Sequence, residues 1–561
     1  MLTCFGILIV TRLFFLQIAE GDYYSTLAER QQISSQILAG RRGEIKIQSK
    51  DGKPASIATT RNGSLLYVNP MKLVNATSTF KTLSALLAGH GLRIDEADFF
   101  NFAQKSNDPF EILLKRLDPL VADEIIGSNL PGIGTIGQEW RFYPFGGFAA
   151  HATGFVGFDE FGEEHGRYGL ESFYEKTLQG IAGFRQGPEG YGGLLLNFSR
   201  GLFTSASEGK DIVLTLDLRV QEELEARLDE VFRQWHPRHA AGLIIEPKTG
   251  RILAMASRPE FDLNDFSSVS DISYFTNPLV SSIFELGSVF KPLTMAFALD
   301  SEALTPETTY YDAGFVDIGP AHISNYDGKG RGTVNMQEVL NQSLNTGAVF
   351  AANKLGKEKF LDYIEKFGLD EKTDIDLPSE SIGDISNLYT MRDVEFASAS
   401  FGQGIAISPM SFVRAVSALA NGGVLMRPYV VERIERDGLP DETRSPREVR
   451  RVISEKTSLE ISRMLVNVVD DALLGGGLGP KNYSVAAKTG TAQIPNKDGK
   501  GYSGEFLHAF FGYAPAYDAK FLIFLMLEAP QGVEYASQSL GHSFLDLTNF
   551  LLHYYEIPPD R

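Results

Sequence analysis

The chain has 561 residues, 43% of them hydrophobic and 22% charged, an ordinary globular composition that excludes a wholly disordered protein and is too long for one compact core. The net charge of −19 excludes a nucleic-acid backbone as the main ligand, since phosphate binding needs a basic surface. One cysteine, Cys4, excludes an intrachain disulfide, and a polytopic membrane protein is excluded because only the extreme N-terminus is continuously apolar.

Met1 to Ile18 is apolar apart from Thr3, Thr11, Arg12 and Gln17. As a helix it would span about 27 Å, slightly short of a bilayer core. It reads as the outer part of a single membrane anchor (1–18), with a buried helix or a signal peptide without an A-x-A-like cleavage site as alternatives. Gly21–Gln36 reads as a polar helix, and Gly43–Gln48 followed by Asp51-Gly52 as a strand and tight turn. Residues 80–135 alternate short helical patterns with polar loops, and glycine-rich irregular segments follow at 145–169 and 180–201. The composition breaks at Glu208-Gly209-Lys210. Beyond it the strand Asp211–Asp217 runs into an amphipathic helix, Leu218–Gln234. Strands at Gly242–Glu246 and Arg251–Ser257 then alternate with helical patterns at 290–300, 335–353 and 409–421, and Asp437–Arg451 reads as an exposed loop or hairpin tip. This mixture of hairpins and helices without a βαβ repeat predicts an α+β fold, divided into 1–18, 19–210 and 211–555.

Three short motifs carry chemistry. Ser288-Val289-Phe290-Lys291 places a serine at a helix start with a lysine three residues on, on the same helix face. Burial beside Phe290 and Met295 would keep that amine neutral, as a general base requires. The helix N-terminus would supply N–H donors to an oxyanion. Ser-x-x-Lys alone is at chance level, and the chain holds two others, Ser78…Lys81 and Ser207…Lys210. Neither has the partner motifs in order. Those partners are Ser343-Leu344-Asn345, between two helical patterns, and Lys488-Thr489-Gly490-Thr491, at the end of the strand-like run Tyr483–Ala487 and ahead of a hairpin partner, Ala509–Tyr513. Lys-Thr-Gly-Thr is expected by chance about once in a hundred such chains, so order, spacing and context make the trio specific. The other Lys-Thr-Gly, at 248–250, lies after proline between two strands and reads as a turn.

In this order the three motifs resemble those of the penicilloyl-serine transferases, the penicillin-binding proteins and serine β-lactamases. Arg12–Gln17, Arg42-Gly43-Glu44-Ile45, Arg141-Phe142-Tyr143-Pro144, Gly169-Leu170-Glu171, Thr249 to Asn264 and Phe401-Gly402-Gln403-Gly404-Ile405 narrow the resemblance to class B, the monofunctional peptidoglycan D,D-transpeptidases. It covers nearly the whole chain. Leu286 and Leu263 stand where proline is usual, and Ala487 where glycine is usual.

The resemblance implies a transpeptidase domain with an antiparallel sheet and helices on both faces. It also implies an elongated N-terminal pedestal of the dimerisation type and a single-pass anchor in the cytoplasmic membrane, with the catalytic domain on the extracytoplasmic, periplasmic side. Ser288 would attack the penultimate D-Ala carbonyl of a donor stem peptide while Lys291 takes its proton. Ser343 would relay the proton to the leaving amine, and Asn345 would hold Lys291 and the donor amide. Lys488, with Thr489 and Thr491 about Gly490, would bind the donor carboxylate, and the backbone N–H groups of Ser288 and Thr491 would hold the oxyanion. An acceptor stem peptide's amine would then resolve the acyl-enzyme. No metal or other cofactor is called for, and β-lactams would be inhibitors. The implied partners are a polytopic glycosyltransferase of the shape, elongation, division and sporulation family and divisome or elongasome proteins, with no nucleic acid. Chain length and the Phe401–Ile405 block favour a septal, division-type enzyme over an elongation-type one.

Two rival readings stand beside this one. A serine β-lactamase or D,D-carboxypeptidase would use water in place of the acceptor, yet the one tempting Glu-x-x-Asn, Glu338…Asn341, precedes Ser343. The other rival is a catalytically silent divisome component. The nine histidines have no usual metal-ligand spacing and read as surface imidazoles, and Trp140 and Trp235 read as core residues.

Overall fold

The structure, a computed structural model, describes residues 40–561 apart from 106, 161–163, 181–182, 189–201, 205–206, 437, 477–478 and 497–500, together with the strand Ile33–Leu38. The expected anchor, Met1–Ile18, and the expected helix as far as Gln32 lie outside the described residues. Among the described residues no helix is long and apolar enough to cross a membrane.

The described residues form two compact units that interleave in sequence: those up to 44, within 59–142 and within 176–211 in the first, and those within 45–58, 143–175 and 212–561 in the second. In the first unit the later half of the long strand Pro54–Val68 pairs antiparallel with Glu111–Leu117 and with Ile133–Phe142. Helices Ala76–Gly89, Glu96–Ala103 and Pro119–Gly127 supply the core, in which Leu83, Leu87, Phe99, Val121 and Ile125 pack on Leu66 and Val68. A small antiparallel sheet joins Ile33–Leu38, Gly183–Pro188 and Leu202–Thr204. Besides Glu111–Leu117, a strand within the 80–135 stretch where helical patterns and polar loops were expected, two local expectations fail here: Ile33–Gln36 is strand where a helix was expected, and 183–188 is strand where an irregular segment was expected. Both runs take their conformation from the ladder they share, which neither sequence signals alone.

In the second unit Ile45–Gln48 forms a hairpin with the start of Pro54–Val68 and lies parallel to Ile212–Asp217. That last strand is buried along its whole length, and Asp217 caps the following helix, Leu218–Trp235, by accepting from the backbone N–H groups of Arg219 and Val220. Val220, Leu224, Leu228 and Val231 recur at helical spacing and are the apolar residues this helix buries, with Gln221 buried beside them.

The centre of the second unit is a five-stranded antiparallel sheet. Its order is Ile252–Arg258, His239–Ile245, Phe521–Glu528, Tyr502–Ala514 and, at the edge, Ala486–Pro495. Consecutive strand residues point to opposite faces, and the pair Phe510-Phe511 shows what covers each. Phe510 stacks on Phe544 of the C-terminal helix Ala536–Tyr554, with ring centres 4.3 Å apart. Phe511 meets Phe412 of the buried helix Pro409–Ala420 at 5.7 Å. Both faces are therefore helix-covered, and the sheet is a two-sided core. Trp140 is buried and Trp235 packs partly buried against this core. The charge-rich 437–451 stretch holds two short strands, Glu442–Thr443 and Glu448–Arg451, on the surface.

Candidate active site

The helix Lys291–Asp300 is buried from Lys291 through Ala298, so it belongs to the core and not to a surface. A single 3-10 turn, Gly287–Phe290, leads into it and carries Ser288. Gly287 has φ +64°, and a Cβ there would lie 2.8 Å from the Cβ of Ala492, so glycine serves both the turn and the close approach of the edge strand. The turn is fastened from the other side by the 401–407 segment. Gly287 N donates to Gly402 O at 3.0 Å, and Phe284 and Ile407 exchange backbone hydrogen bonds.

The helical pattern over 335–353 is two helices, Met336–Asn341 and Asn345–Leu355. Ser343 breaks it with φ +54°, and the Leu344 N–H closes back onto Val339 O at 2.9 Å, a left-handed helix ending with serine where glycine is usual. This turn puts the Ser343 hydroxyl between two lysines. Lys291 Nζ lies 2.9 Å from Ser288 Oγ, 3.1 Å from Ser343 Oγ and 2.5 Å from Ser343 O, and Lys488 Nζ lies 3.1 Å from the same Ser343 Oγ. Both amines are almost wholly buried. Burial, and then the charge of Lys488, depress Lys291 well below the ordinary lysine range; burial depresses Lys488 to about 8. Two amines this close cannot comfortably both be charged, and the stronger depression at Lys291 makes it the neutral one. The arrangement is a serine with a neutral amine in hydrogen-bond reach, a hydroxyl that can pass a proton onward, and a second, cationic amine beyond it.

The edge strand contributes Lys488, buried, and Gly490, whose missing Cβ would lie 2.8 Å from Val289 N and 2.9 Å from Leu286 O. Thr491 Oγ1 accepts from Ala536 N at 3.0 Å, at the start of the C-terminal helix, and Thr489 is half-buried beside it. An edge strand leaves one row of backbone groups without ladder partners, which suits an extended peptide laid along it. Asn345 differs from the sequence expectation: its Nδ2 donates to Ser324 O at 2.8 Å, and the hydrogen bonds of Lys291 run to Ser288 and Ser343.

Sequence reading missed the buried group behind the Ser343 turn. Asp312 accepts from Asn325 Nδ2 at 3.0 Å and from Thr346 Oγ1 at 2.8 Å, fixing the first turn of the helix that begins at Asn345. Only the turn-like Ser324-Asn325-Tyr326-Asp327-Gly328 hinted at it. The histidine expectation also needs correcting, because His151 and His508 are buried. Burial lowers both to about 4, so they are neutral members of the packing, with His508 Nδ1 2.8 Å from Ser539 Oγ. The three departures are absorbed locally. Leu286 has φ −83°, near the proline value. The methyl of Ala487 stands opposite Gly512 in the ladder, where no second Cβ competes with it. Leu263 is buried in the core.

Replacing Ser343 by glycine separates backbone from hydroxyl. Ser343→Gly is expected to leave stability within about 1 kcal/mol in chemical unfolding, because relief of the left-handed backbone offsets the hydrogen bonds that the two buried amines lose. It should also lower acylation of Ser288 by about a hundredfold, since both lysines lose their shared partner.

The penicillin binding protein transpeptidase domain matches residues 240–546, and the penicillin-binding protein dimerisation domain matches residues 37–214. The chain belongs to the penicillin-binding protein transpeptidase family. Among curated relatives of this penicillin-binding protein, stage V sporulation protein D of Bacillus subtilis is 33% identical over 94% of this chain and 80% of its own. The probable peptidoglycan D,D-transpeptidase FtsI of Caulobacter vibrioides is 30% identical over 89% and 77%. Among solved structures, penicillin-binding protein 2X of Streptococcus thermophilus shares the fold with a TM-score of 0.76 at 21% identity, covering 93% of this chain and 80% of that one. Penicillin-binding protein 3 of Mycobacterium tuberculosis, complexed with aztreonam, shares it at 0.69 and 22% identity, covering 94% and 98%. The fold is thus that of a penicillin-binding transpeptidase with an N-terminal dimerisation domain, mixed α+β in character.

Proposed function

We propose that this penicillin-binding protein is a peptidoglycan D,D-transpeptidase that cross-links stem peptides through an acyl-enzyme on Ser288. The observation that carries the mechanism is the Ser343 hydroxyl standing 3.1 Å from each of two buried lysines, one of which is 2.9 Å from Ser288 Oγ. Lys291 Nζ takes the Ser288 proton as Oγ bonds to the penultimate D-Ala carbonyl carbon. The oxyanion is held by the backbone N–H groups of Ser288 and Thr491. The proton passes from Lys291 through Ser343 to the leaving nitrogen, the peptide bond breaks and D-Ala departs. The amine of a second stem peptide then attacks the ester, and Ser288 recovers its proton by the same path. Lys488 holds the donor's terminal carboxylate with the Thr489 and Thr491 hydroxyls, and Asn345, at the start of its helix, holds the donor amide.

Water as the second nucleophile, the β-lactamase reading, is disfavoured by Glu338. Its two carboxylate oxygens accept from Asn341 Nδ2 at 2.9 Å and Gln342 Nε2 at 2.7 Å, which engages it on its own helix. The catalytic domain is taken as 211–555 and the pedestal as 19–210, with Met1–Ile18 anchoring the chain so that the site works outside the cytoplasmic membrane. A septal role beside a polytopic glycosyltransferase of the shape, elongation, division and sporulation family is the finer reading. A relative named FtsI and the Phe401–Ile405 block support it.

The deciding experiment is the intact mass of the purified ectodomain after benzylpenicillin, beside Ser288→Ala and Ser78→Ala. One persistent adduct is expected in the wild type and in Ser78→Ala, with none in Ser288→Ala. An adduct that survives Ser288→Ala would overturn the assignment, and rapid loss of the adduct with hydrolysed drug would favour the lactamase.

A further inference from the structure

Glu285 lies just before the Ser288 turn and has no role in the acyl-transfer mechanism above. Its Oε2 accepts from the Tyr502 hydroxyl at 2.9 Å, and the Gly404 backbone also favours its ionised form, while burial acts the other way and leaves its pKa raised. Among the described residues it forms no ion pair. Glu395, whose charge acts on the same Tyr502, is itself paired with Arg392. A half-buried carboxylate held by uncharged donors alone keeps its electrostatic demand for a cation.

Its place along the edge strand says which part of a substrate meets it. Tyr502 is paired with Pro495, and Gly287 abuts Ala492, so Glu285 sits toward the 492–495 end of the strand. Lys488 sits toward the other end. With the donor's terminal carboxylate at Lys488 and its reacting carbonyl at Ser288, the residues upstream of the penultimate D-Ala extend toward Ala492–Pro495, antiparallel to the strand. Donor and acceptor are copies of one stem peptide. The amine that resolves the acyl-enzyme therefore exists on every donor too, and it must lie upstream of the two terminal D-Ala residues.

We infer that Glu285, steadied by Tyr502 and the Gly404 backbone, is a specificity residue that pairs with the free side-chain ammonium of the donor residue preceding the penultimate D-Ala. The inference rests on the transpeptidase reading above. It assigns a task to the Phe401–Ile405 segment, which fastens the nucleophile turn and steadies the carboxylate beside it. It also explains why a carboxylate at this position is left without a lysine or arginine among the described residues: the substrate provides the cation.

The test compares two thioester donors, Nα-acetyl-L-lysyl-D-alanyl thioglycolate and its Nε-acetyl counterpart, in which an acetyl cap replaces that charge. The readout is the ratio of their kcat/KM values for Ser288 acylation, with the benzylpenicillin acylation rate as the reference for an intact site. The wild type should prefer the cationic donor by about tenfold, Glu285→Gln should bring the ratio to about one, and Tyr502→Phe should fall between. A purely structural role would slow both donors together and leave the ratio unchanged. A wild-type ratio near one, or a ratio that survives Glu285→Gln, overturns the inference while a benzylpenicillin adduct on Ser288 leaves the transpeptidase reading standing. Absence of any acylation of Ser288, by either donor or by benzylpenicillin, overturns both.

Discussion

Lys291→Met is expected to slow acylation of Ser288 by benzylpenicillin about a thousandfold or more, within the range a positioned general base contributes, while the melting temperature stays level or rises. Methionine nearly matches the lysine stem in volume, and it removes a buried amine that burial and the charge of Lys488 already disfavour as a cation. Ser288 would keep its place on the turn but lose the acceptor for its proton. A stopped-flow acylation rate beside a thermal melt checks both halves. A variant that acylates normally would remove Lys291 from the mechanism, and one that unfolds would make its role structural. The two lysines also set the pH dependence. Lys291 is depressed well below the usual lysine range, so the neutral base is present far below pH 10.5. Lys488, at about 8, is the cation for the donor carboxylate below that pH and is lost above it. The kcat/KM for carboxylate-bearing donors should therefore fall as pH rises through about 8.

Gly490→Ala carries the second large effect. The added methyl would lie 2.8 Å from Val289 N and 2.9 Å from Leu286 O, both backbone atoms that no side-chain rotation can move aside. Either the edge strand or the nucleophile turn must shift. A displacement of this order at reacting groups costs about a hundredfold, so acylation should fall at least that far. The melting temperature should fall as well, because overpacking costs about 1–3 kcal/mol. Acylation within twofold of wild type would show that the strand and turn are not in this contact in solution.

The contrast between these two residues marks how much of the site the sequence made legible. Ser288 and Lys291 sit on adjoining helical turns, so local spacing alone puts one within reach of the other. Lys488 and Gly490 alternate on a strand, so their shared side is also local. Ser343 is different. Its motif stood out only by order and spacing, because the property that aims its hydroxyl, a left-handed backbone at a non-glycine residue, leaves no mark in composition. Asn345 was read as a partner of Lys291, and the structure ties it instead to Ser324, a choice that depends on a loop distant in sequence. Glu285 and Tyr502 were passed over because a lone acid and a lone tyrosine carry no pattern until the fold brings them together.

The same division holds for the fold. Leu218–Gln234 was readable as a helix from its amphipathic spacing, and Asp211–Asp217 as a strand from its mostly apolar run, because those signals lie within one segment. Ile33–Leu38 was not, since it is a strand by virtue of its pairing with Gly183–Pro188. Nor was the interleaving of the two units, which follows from Ile45–Gln48 lying beside Ile212–Asp217. The sequence by itself determined which residues carry chemistry and in what local order, since helix and strand periodicity act over a few residues. Only the tertiary structure decided that one serine hydroxyl stands between two buried lysines and that a carboxylate toward the far end of the same edge strand has no cationic partner among the described residues. Both facts depend on burial and on contacts between distant segments, which no local spacing encodes.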